Sequence, residues 1–154
     1  MLELDSTAPD FELPAENGEK FRLYSLKGKI VVLFFYPKDD TAGCTKEALA
    51  FSHLQSEFEE SGIKVAGISP DSTEKHAKFK DKHDLKVLLL SDVERLVVES
   101  YGVWVEKSMY GKKYKGVERT TFLINTDMKI ANIWRKVKIP GHADAVYNSA
   151  LKLL

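Results

Sequence analysis

The amino-acid sequence predicts an α/β protein with a mixed central β-sheet, flanking helices and an N-terminal β-hairpin extension. The continuously apolar, β-branched and aromatic segment Ile30 to Tyr36 is typical of a strand buried on both faces. Similar strand segments alternate with helical ones in the first half of the chain. Arg119 to Asn125 and Lys129 to Arg135 are strand-like and joined by a tight turn, which predicts an antiparallel pair.

The first elements are defined by turn residues and apolar spacing. Phe11 to Leu13 and Phe21 to Tyr24 are short strand-like segments, and Asn17-Gly18 between them favours a hairpin turn. After the buried strand, a helix is predicted from Thr41 to about Ser61. Its apolar face carries Phe51, Leu54 and Phe58.

The middle of the chain repeats the strand and helix alternation. Ile63 to Ser69 predicts a second buried strand, and Pro70-Asp71-Ser72 opens a Lys-rich helix that carries Phe79 on a thin apolar face. Val87 to Leu90 predicts a third strand. The early strand–helix–strand unit should therefore be parallel and right-handed.

The remaining helices complete the expected architecture. Ser91-Asp-Val-Glu94 has the spacing of a capping box and predicts a short helix to about Tyr101. Ala143 to Leu154 has one apolar helical face. A single domain over residues 1–154, with a thioredoxin-like fold and an added hairpin, satisfies this order of elements.

Composition and charge exclude several functional classes. The chain has 154 residues, 44% of them hydrophobic, and its 23 basic residues balance its 23 acidic ones. This balance gives no electrostatic reason to expect a nucleic acid or an anionic membrane as partner. The N-terminus shows neither a basic nor an apolar signal region, and a single cysteine fits a reducing compartment, so a cytoplasmic location is expected.

No metal or cofactor is expected from the remaining polar residues. The four histidines lack metal-ligand spacing and are expected to be solvent-exposed or capping; they are His53, His76, His83 and His142. A cluster of lysines around two glycines indicates a solvated loop, or alternatively a docking patch for an acidic reductant. These are Lys107, Lys112, Lys113 and Lys115.

Cys44 is the candidate nucleophile. It follows a buried strand and lies in the first turn of a predicted helix, with Thr41 as its N-cap. The unpaired N–H groups of that turn and the helix dipole favour a thiolate over a thiol. A buried structural role is the alternative, although the polar Thr-Lys-Glu run after Cys44 argues against deep burial. Position alone leaves both interpretations open.

Several ordered blocks resemble one protein family. Pro37-Lys-Asp-Asp-Thr-Ala-Gly-Cys44 is similar to the Pro-x-x-x-Thr-x-x-Cys signature of peroxiredoxins, in the alkyl hydroperoxide reductase/thiol-specific antioxidant family. Its flanks resemble the bacterioferritin comigratory protein (Q-type) branch. Ala8 to Leu13, Gly67 to Asp71 and Arg119 to Asn125 extend the resemblance over nearly the whole chain.

The resemblance implies a thiol-dependent peroxidase that reduces hydrogen peroxide and organic hydroperoxides. Cys44 would attack the peroxide, Thr41 would orient it and Arg119 would stabilise the developing charge. Pro37 would shield the pocket, and Glu47 would hold the arginine by a bidentate contact. These residues also have purely structural interpretations. Thr41 could be only a helix cap and Pro37 only a strand terminator, and Arg119 and Glu47 could be surface charges.

The chain departs from the family where a resolving cysteine is expected. Leu49 occupies one family position for it, and Asp81-Lys-His83 occupies the other. An internal disulfide is therefore impossible, and a sulfenic acid on Cys44 would need an external thiol: thioredoxin, glutaredoxin or glutathione. A monomer or weak homodimer is expected. The alternatives are a thioredoxin-fold redox sensor or binding protein that uses sulfenylated Cys44 as a signal, and a glutathione-dependent transferase.

Overall fold

The computed structural model describes residues 2–154. Within them the strands are β1 Glu12–Pro14, β2 Lys20–Arg22, β3 Ile30–Phe35, β4 Ile63–Ser69, β5 Leu88–Ser91, β6 Trp104–Met109, β7 Lys112–Val117, β8 Thr120–Ile124 and β9 Ile130–Trp134. The α-helices are α1 Ala42–His53, α2 Gln55–Glu60, α3 Thr73–His83, α4 Leu96–Ser100 and α5 His142–Leu151. One turn of 3-10 helix follows β2.

The central sheet is mixed, as the sequence predicts. Its strand order is β5-β4-β3-β8-β9. The pairs β3–β4 and β4–β5 are parallel, whereas β3–β8 and β8–β9 are antiparallel. In the central strand, Val32 lies opposite Val65 of β4 and Leu123 of β8. The predicted N-terminal hairpin is also confirmed, with Leu13 opposite Phe21.

Two apolar cores cover the two faces of this sheet. Because side chains alternate along a strand, Val31, Leu33 and Phe35 enter one core while Val32 and Phe34 enter the other. The first core also receives the N-terminal hairpin and helix α4. The second receives the helices α1, α2, α3 and α5. Every residue of β3 is buried, which is why its sequence has no polar alternation.

Two helices differ from the prediction. The single helix expected from Thr41 to Ser61 is interrupted at Leu54, which ends α1 and begins α2. The capping box predicted for α4 is wrong: Ser91 completes strand β5 and is paired with Ser69. The carboxylate of Asp92 instead accepts the N–H groups of Val97 and Val98, so α4 starts later than expected.

The lysine-rich segment forms a β-hairpin, where a solvated loop was predicted. Strands β6 and β7 pair from Trp104 with Val117 to Met109 with Lys112. Tyr110 and Gly111 form the turn with φ angles of 52° and 77°, the left-handed backbone that tight hairpin turns require. Tyr110 is 97% exposed. Solvent on much of this hairpin explains why its sequence lacks the apolar pattern of a strand.

Within residues 2–154, no helix combines the length and the apolarity that crossing a bilayer requires.

Candidate active site

A cavity of about 640 Å³ lies where β3 ends and α1 begins. Its floor carries Pro37, Thr41 and Cys44, and Arg119 enters from the segment before β8. The hairpin β6–β7 supplies the opposite wall through Trp104, Lys107, Met109, Tyr114 and neighbouring residues. The fold therefore brings four of the five predicted site residues to one cavity, and Glu47 lies beside it.

Cys44 is more deeply buried than its sequence neighbours suggest. It is 1% exposed and belongs to the core beneath α1, so the expectation of a shallow position is wrong. The reason is helical spacing: Thr45 and Lys46 point to other faces, whereas Cys44, Glu47 and Ala48 share the face that packs on the sheet. The sulfur nevertheless lines the cavity.

Arg119 joins the thiol to a buried carboxylate. Its Nη2 donates to Sγ of Cys44 at 3.4 Å, and its Nη1 donates to Oε1 of Glu47 at 2.7 Å. Gly43 permits this approach, because a Cβ at that position would lie 3.2 Å from Nη2. Arg119, which is distant from α1 in the sequence, is thus held against the first turn of this helix, with its positive charge next to the sulfur of Cys44.

The contact between Glu47 and Arg119 is a single hydrogen bond, so the predicted bidentate geometry is wrong. Oε2 of Glu47 is buried and has no partner within residues 2–154. Burial raises the pKa of Glu47 to about 7, while the positive charge and hydrogen bond of Arg119 act in the opposite direction. The carboxylate can therefore gain a proton near neutral pH.

This environment predicts a pH-dependent stability that Glu47→Gln removes. The folded state binds a proton at Glu47 up to about pH 7, whereas the unfolded chain loses it near the ordinary value of 4.5. The stability from this group is fully present below about pH 4.5 and is lost as the pH rises to about 7. The loss is on the order of 3–4 kcal/mol, since the pKa rises from 4.5 to about 7 and one pKa unit corresponds to about 1.4 kcal/mol.

The measurement is urea denaturation of both proteins at about pH 4.5 and about pH 8. Glutamine mimics the protonated acid, so the variant should gain stability relative to the natural protein as the pH rises. A stability difference that stays constant with pH would show that Glu47 does not titrate in this range.

Thr41 occupies the predicted N-cap position without capping through its side chain. Its hydroxyl donates to the carbonyl oxygen of Lys38 at 2.9 Å. The first helical hydrogen bond runs from the N–H of Thr45 to the carbonyl of Thr41, so the N–H groups of residues 42–44 precede the helical ladder. Thr41 and Cys44 both line the cavity, so the lone pairs of the Thr41 hydroxyl are available to a molecule bound beside the sulfur.

A buried network behind the site was not anticipated. His76 is fully buried in α3: its Nδ1 lies 2.6 Å from Oδ2 of Asp39 and its Nε2 lies 2.9 Å from the carbonyl oxygen of Leu90. The hydroxyl of Tyr36 donates to the other oxygen of Asp39 at 2.6 Å. The expected exposed or capping role of His76 is wrong, and the network fastens the loop before Cys44 to helix α3.

The same cluster has the residue types of a metal centre. Asp39, Asp71 and His76 offer ligand atoms within 4.8 Å of one another. However, the 2.6 Å between Nδ1 and Oδ2 is a hydrogen-bond distance, and both ring nitrogens of His76 face acceptors. Asp71 accepts from Ser69 Oγ and from the N–H of Asp39. These contacts indicate a hydrogen-bonded network.

The other histidines also deviate in part from expectation. His142 is buried against Thr121, with 2.8 Å between Nε2 and Oγ1, so an exposed role is wrong for it as well. Burial, with a smaller effect of the charge on Arg119, lowers the pKa of His142 to about 4, which makes it neutral at physiological pH. His83 contacts Asp40 at 2.8 Å, and His53 is exposed as predicted.

Comparison with known proteins gives this geometry its context. The profile of the AhpC/TSA family matches residues 4–133. The chain belongs to the AhpC/TSA family. A Coxiella burnetii relative in this family is 51% identical over 145 residues, which are 94% of this chain and 96% of the relative. Peroxiredoxin Bcp of Bacillus subtilis is 48% identical over 92% of this chain and 90% of its own.

Solved structures of this family agree with the fold. A Xanthomonas campestris bacterioferritin comigratory protein, studied for its alkyl peroxide reduction activity, matches with a TM-score of 0.88 and 41% identity. The match covers 99% of this chain and 96% of the other. The predicted thioredoxin-like fold and the Q-type resemblance are thereby confirmed. This AhpC/TSA member is a peroxiredoxin, an enzyme that reduces hydroperoxides with electrons from a thiol.

Proposed function

We propose that Cys44 is the peroxidatic nucleophile of a one-cysteine peroxiredoxin. Its thiolate attacks the terminal oxygen of a hydroperoxide, so an S–O bond forms and the O–O bond breaks. Cys44 becomes a sulfenic acid, and the leaving oxygen departs with the electron pair of the broken bond and takes a proton to give water or an alcohol. The observation that carries this proposal is the 3.4 Å contact between Nη2 of Arg119 and Sγ.

Arg119 supplies the charge that this step needs. Its guanidinium lies against the sulfur and can also face the leaving oxygen, on which negative charge develops. Glu47 is a positioning residue in this scheme, since it contacts Nη1 of the arginine and not the sulfur. The guanidinium is thereby fixed before the substrate arrives.

Thr41 and Pro37 define how the peroxide approaches. The Thr41 hydroxyl donates its hydrogen bond to the carbonyl oxygen of Lys38, so its lone pairs can accept a hydrogen bond from the O–H of the hydroperoxide. This bond would turn the terminal oxygen towards Cys44. Pro37 lines the same cavity and has no N–H that would need a partner there.

The oxidised cysteine is resolved by an external thiol. Leu49, at one family position of a resolving cysteine, packs at the edge of the core that contains Cys44. Cys44 is the only cysteine of the chain, so no internal partner exists. Thioredoxin, glutaredoxin and glutathione are the candidate reductants, in a cytoplasmic enzyme that acts as a monomer or weak homodimer.

Steady-state peroxide consumption tests this function. With excess dithiothreitol as reductant, the natural protein should consume hydrogen peroxide and tert-butyl hydroperoxide, and Cys44→Ser should consume neither above background. Turnover retained by Cys44→Ser would refute the assignment. A natural protein that is oxidised only slowly would instead favour the redox sensor.

A further inference from the structure

The charged residues that line the Cys44 cavity are mainly cations. Besides Arg119, the lysines Lys38, Lys107 and Lys115 line it, whereas Asp71 is the one carboxylate that residues 2–154 contribute to the lining. The peroxide step proposed above uses only Arg119 among these charges. Three lysines therefore line the cavity of the reactive sulfur without a role in that step.

These lysines are also free of carboxylate partners. Within residues 2–154, none of Lys38, Lys107 and Lys115 lies within 4.0 Å of a carboxylate oxygen. Asp71 is already engaged, because it accepts bonds from Ser69 and the N–H of Asp39. The lining thus carries a surplus of positive charge that is available to a ligand.

Lys107 is the most enclosed of the three. It is half-buried, and burial together with the charge of Arg119 lowers its pKa. An anion bound beside Lys107 would stabilise its charged form and so oppose both effects on its pKa. Arg119 already has Glu47 as its carboxylate partner, whereas Lys107 has none within 4.0 Å among residues 2–154, and this unpaired lysine beside a second cation favours an anionic occupant.

The depth of Cys44 limits what can reach it. The sulfur is 1% exposed, so any reductant must enter the cavity to contact it. At about 640 Å³ the cavity has the size of sites that hold small molecules. A small thiol fits a cavity of this size, whereas a cysteine on the surface of a folded protein would have to reach a sulfur that is only 1% exposed.

We propose that the external reductant is a small-molecule thiol carrying carboxylate groups, held by Lys38, Lys107 and Lys115. This inference rests on the proposed function, because it concerns reduction of the Cys44 sulfenic acid. The first thiol forms an S–S bond with Cys44, and the sulfenic oxygen leaves as water. A second thiol attacks the sulfur of the first, which releases a small-molecule disulfide and restores Cys44. Glutathione has this chemistry.

A charge series of small thiols tests the inference. The protein is oxidised with stoichiometric hydrogen peroxide, and reduction of its sulfenic acid is followed with mercaptopropionate, mercaptoethanol and cysteamine. The readout is the ratio of the mercaptopropionate rate to the cysteamine rate. Since every variant meets the same two thiols, their intrinsic reactivities cancel when ratios are compared between variants.

We expect the ratio to fall about threefold for Lys107→Met and about tenfold or more when all three lysines are replaced by methionine. Raising the salt to about 0.5 M should shrink the ratio of the natural protein, because screening shortens the reach of the charges. Lys113→Met is the matched control. It lies on the same hairpin, is not part of the cavity lining and pairs with Glu106 at 3.6 Å, so it should leave the ratio unchanged.

These experiments distinguish failure of the reductant inference from failure of the proposed peroxidase function. If sulfenic acid forms but its reduction is insensitive to thiol charge and to the lysines, the inference is wrong while the peroxidase stands. Faster reduction by thioredoxin, with an unchanged ratio in the lysine variants, would equally overturn it. If hydrogen peroxide forms no sulfenic acid at Cys44, the proposed function fails and the inference fails with it.

Discussion

Replacing Arg119 with alanine should slow the oxidation of Cys44 by hydrogen peroxide about 100-fold to 1000-fold, the usual cost of one preorganised charge-stabilising donor. The substitution removes the charged donor 3.4 Å from the sulfur. It also leaves Glu47, which is 1% exposed, without its cation. Stopped-flow fluorescence with stoichiometric peroxide measures the rate constant.

Two further variants separate the charge from its geometry. Arg119→Lys keeps a positive charge but loses the planar fork that contacts Cys44 and Glu47 together, so an intermediate rate is expected. Arg135→Ala removes another partly buried arginine, whose Nη2 donates to the carbonyl of Leu2, and should oxidise at the natural rate. Equal rates for Arg119→Ala and Arg135→Ala would contradict arginine activation.

Replacing His76 with alanine should lower the free energy of unfolding by about 3–5 kcal/mol, because it empties a buried ring site and removes a hydrogen-bond partner from two buried acceptors. The side chain of His76 is 0% exposed, and that of its partner Asp39 is 5% exposed. The substitution leaves the Asp39 carboxylate buried with the Tyr36 hydroxyl as its side-chain partner, and it frees the carbonyl of Leu90. Urea denaturation followed by circular dichroism measures the change.

The exposed His53 provides the matched control for this substitution. His53→Ala should change the stability by less than about 0.5 kcal/mol, as for other surface positions. Adding Asp39→Asn completes a double-mutant cycle, in which the two single effects should be strongly non-additive. A His76→Ala variant as stable as His53→Ala would show that the network contributes little.

The parts of the fold that sequence predicts are those with a distinctive burial pattern. Strand β3 is buried on both faces, so its apolar run has few other interpretations. The strands β8 and β9 are joined by a turn too tight for anything but an antiparallel pair. The hairpin β6–β7 escaped prediction because it is a two-stranded sheet outside the central one, and solvent reaches most of its residues. The Tyr110-Gly111 turn was the signal available for it.

In the candidate site, too, the local sequence predicts some features, whereas others depend on tertiary packing. Pro37, Thr41 and Cys44 lie together in the sequence, so their spacing was informative by itself. The burial of Cys44 and the single contact of Glu47 depend on how α1 is rotated against the sheet, which the local sequence does not specify. His76 had one signal, since it lies three residues before the buried Phe79 and therefore shares its helical face.

The decisive experiment for Cys44 as the peroxidatic nucleophile is oxidation of the reduced protein by stoichiometric hydrogen peroxide, followed by dimedone trapping and intact-mass analysis. We expect fast addition of one oxygen atom at Cys44, one dimedone adduct per chain, and no oxidation of this kind in Cys44→Ser. Oxidation no faster than that of an ordinary exposed thiol, or an adduct that persists in Cys44→Ser, would contradict this role of Cys44.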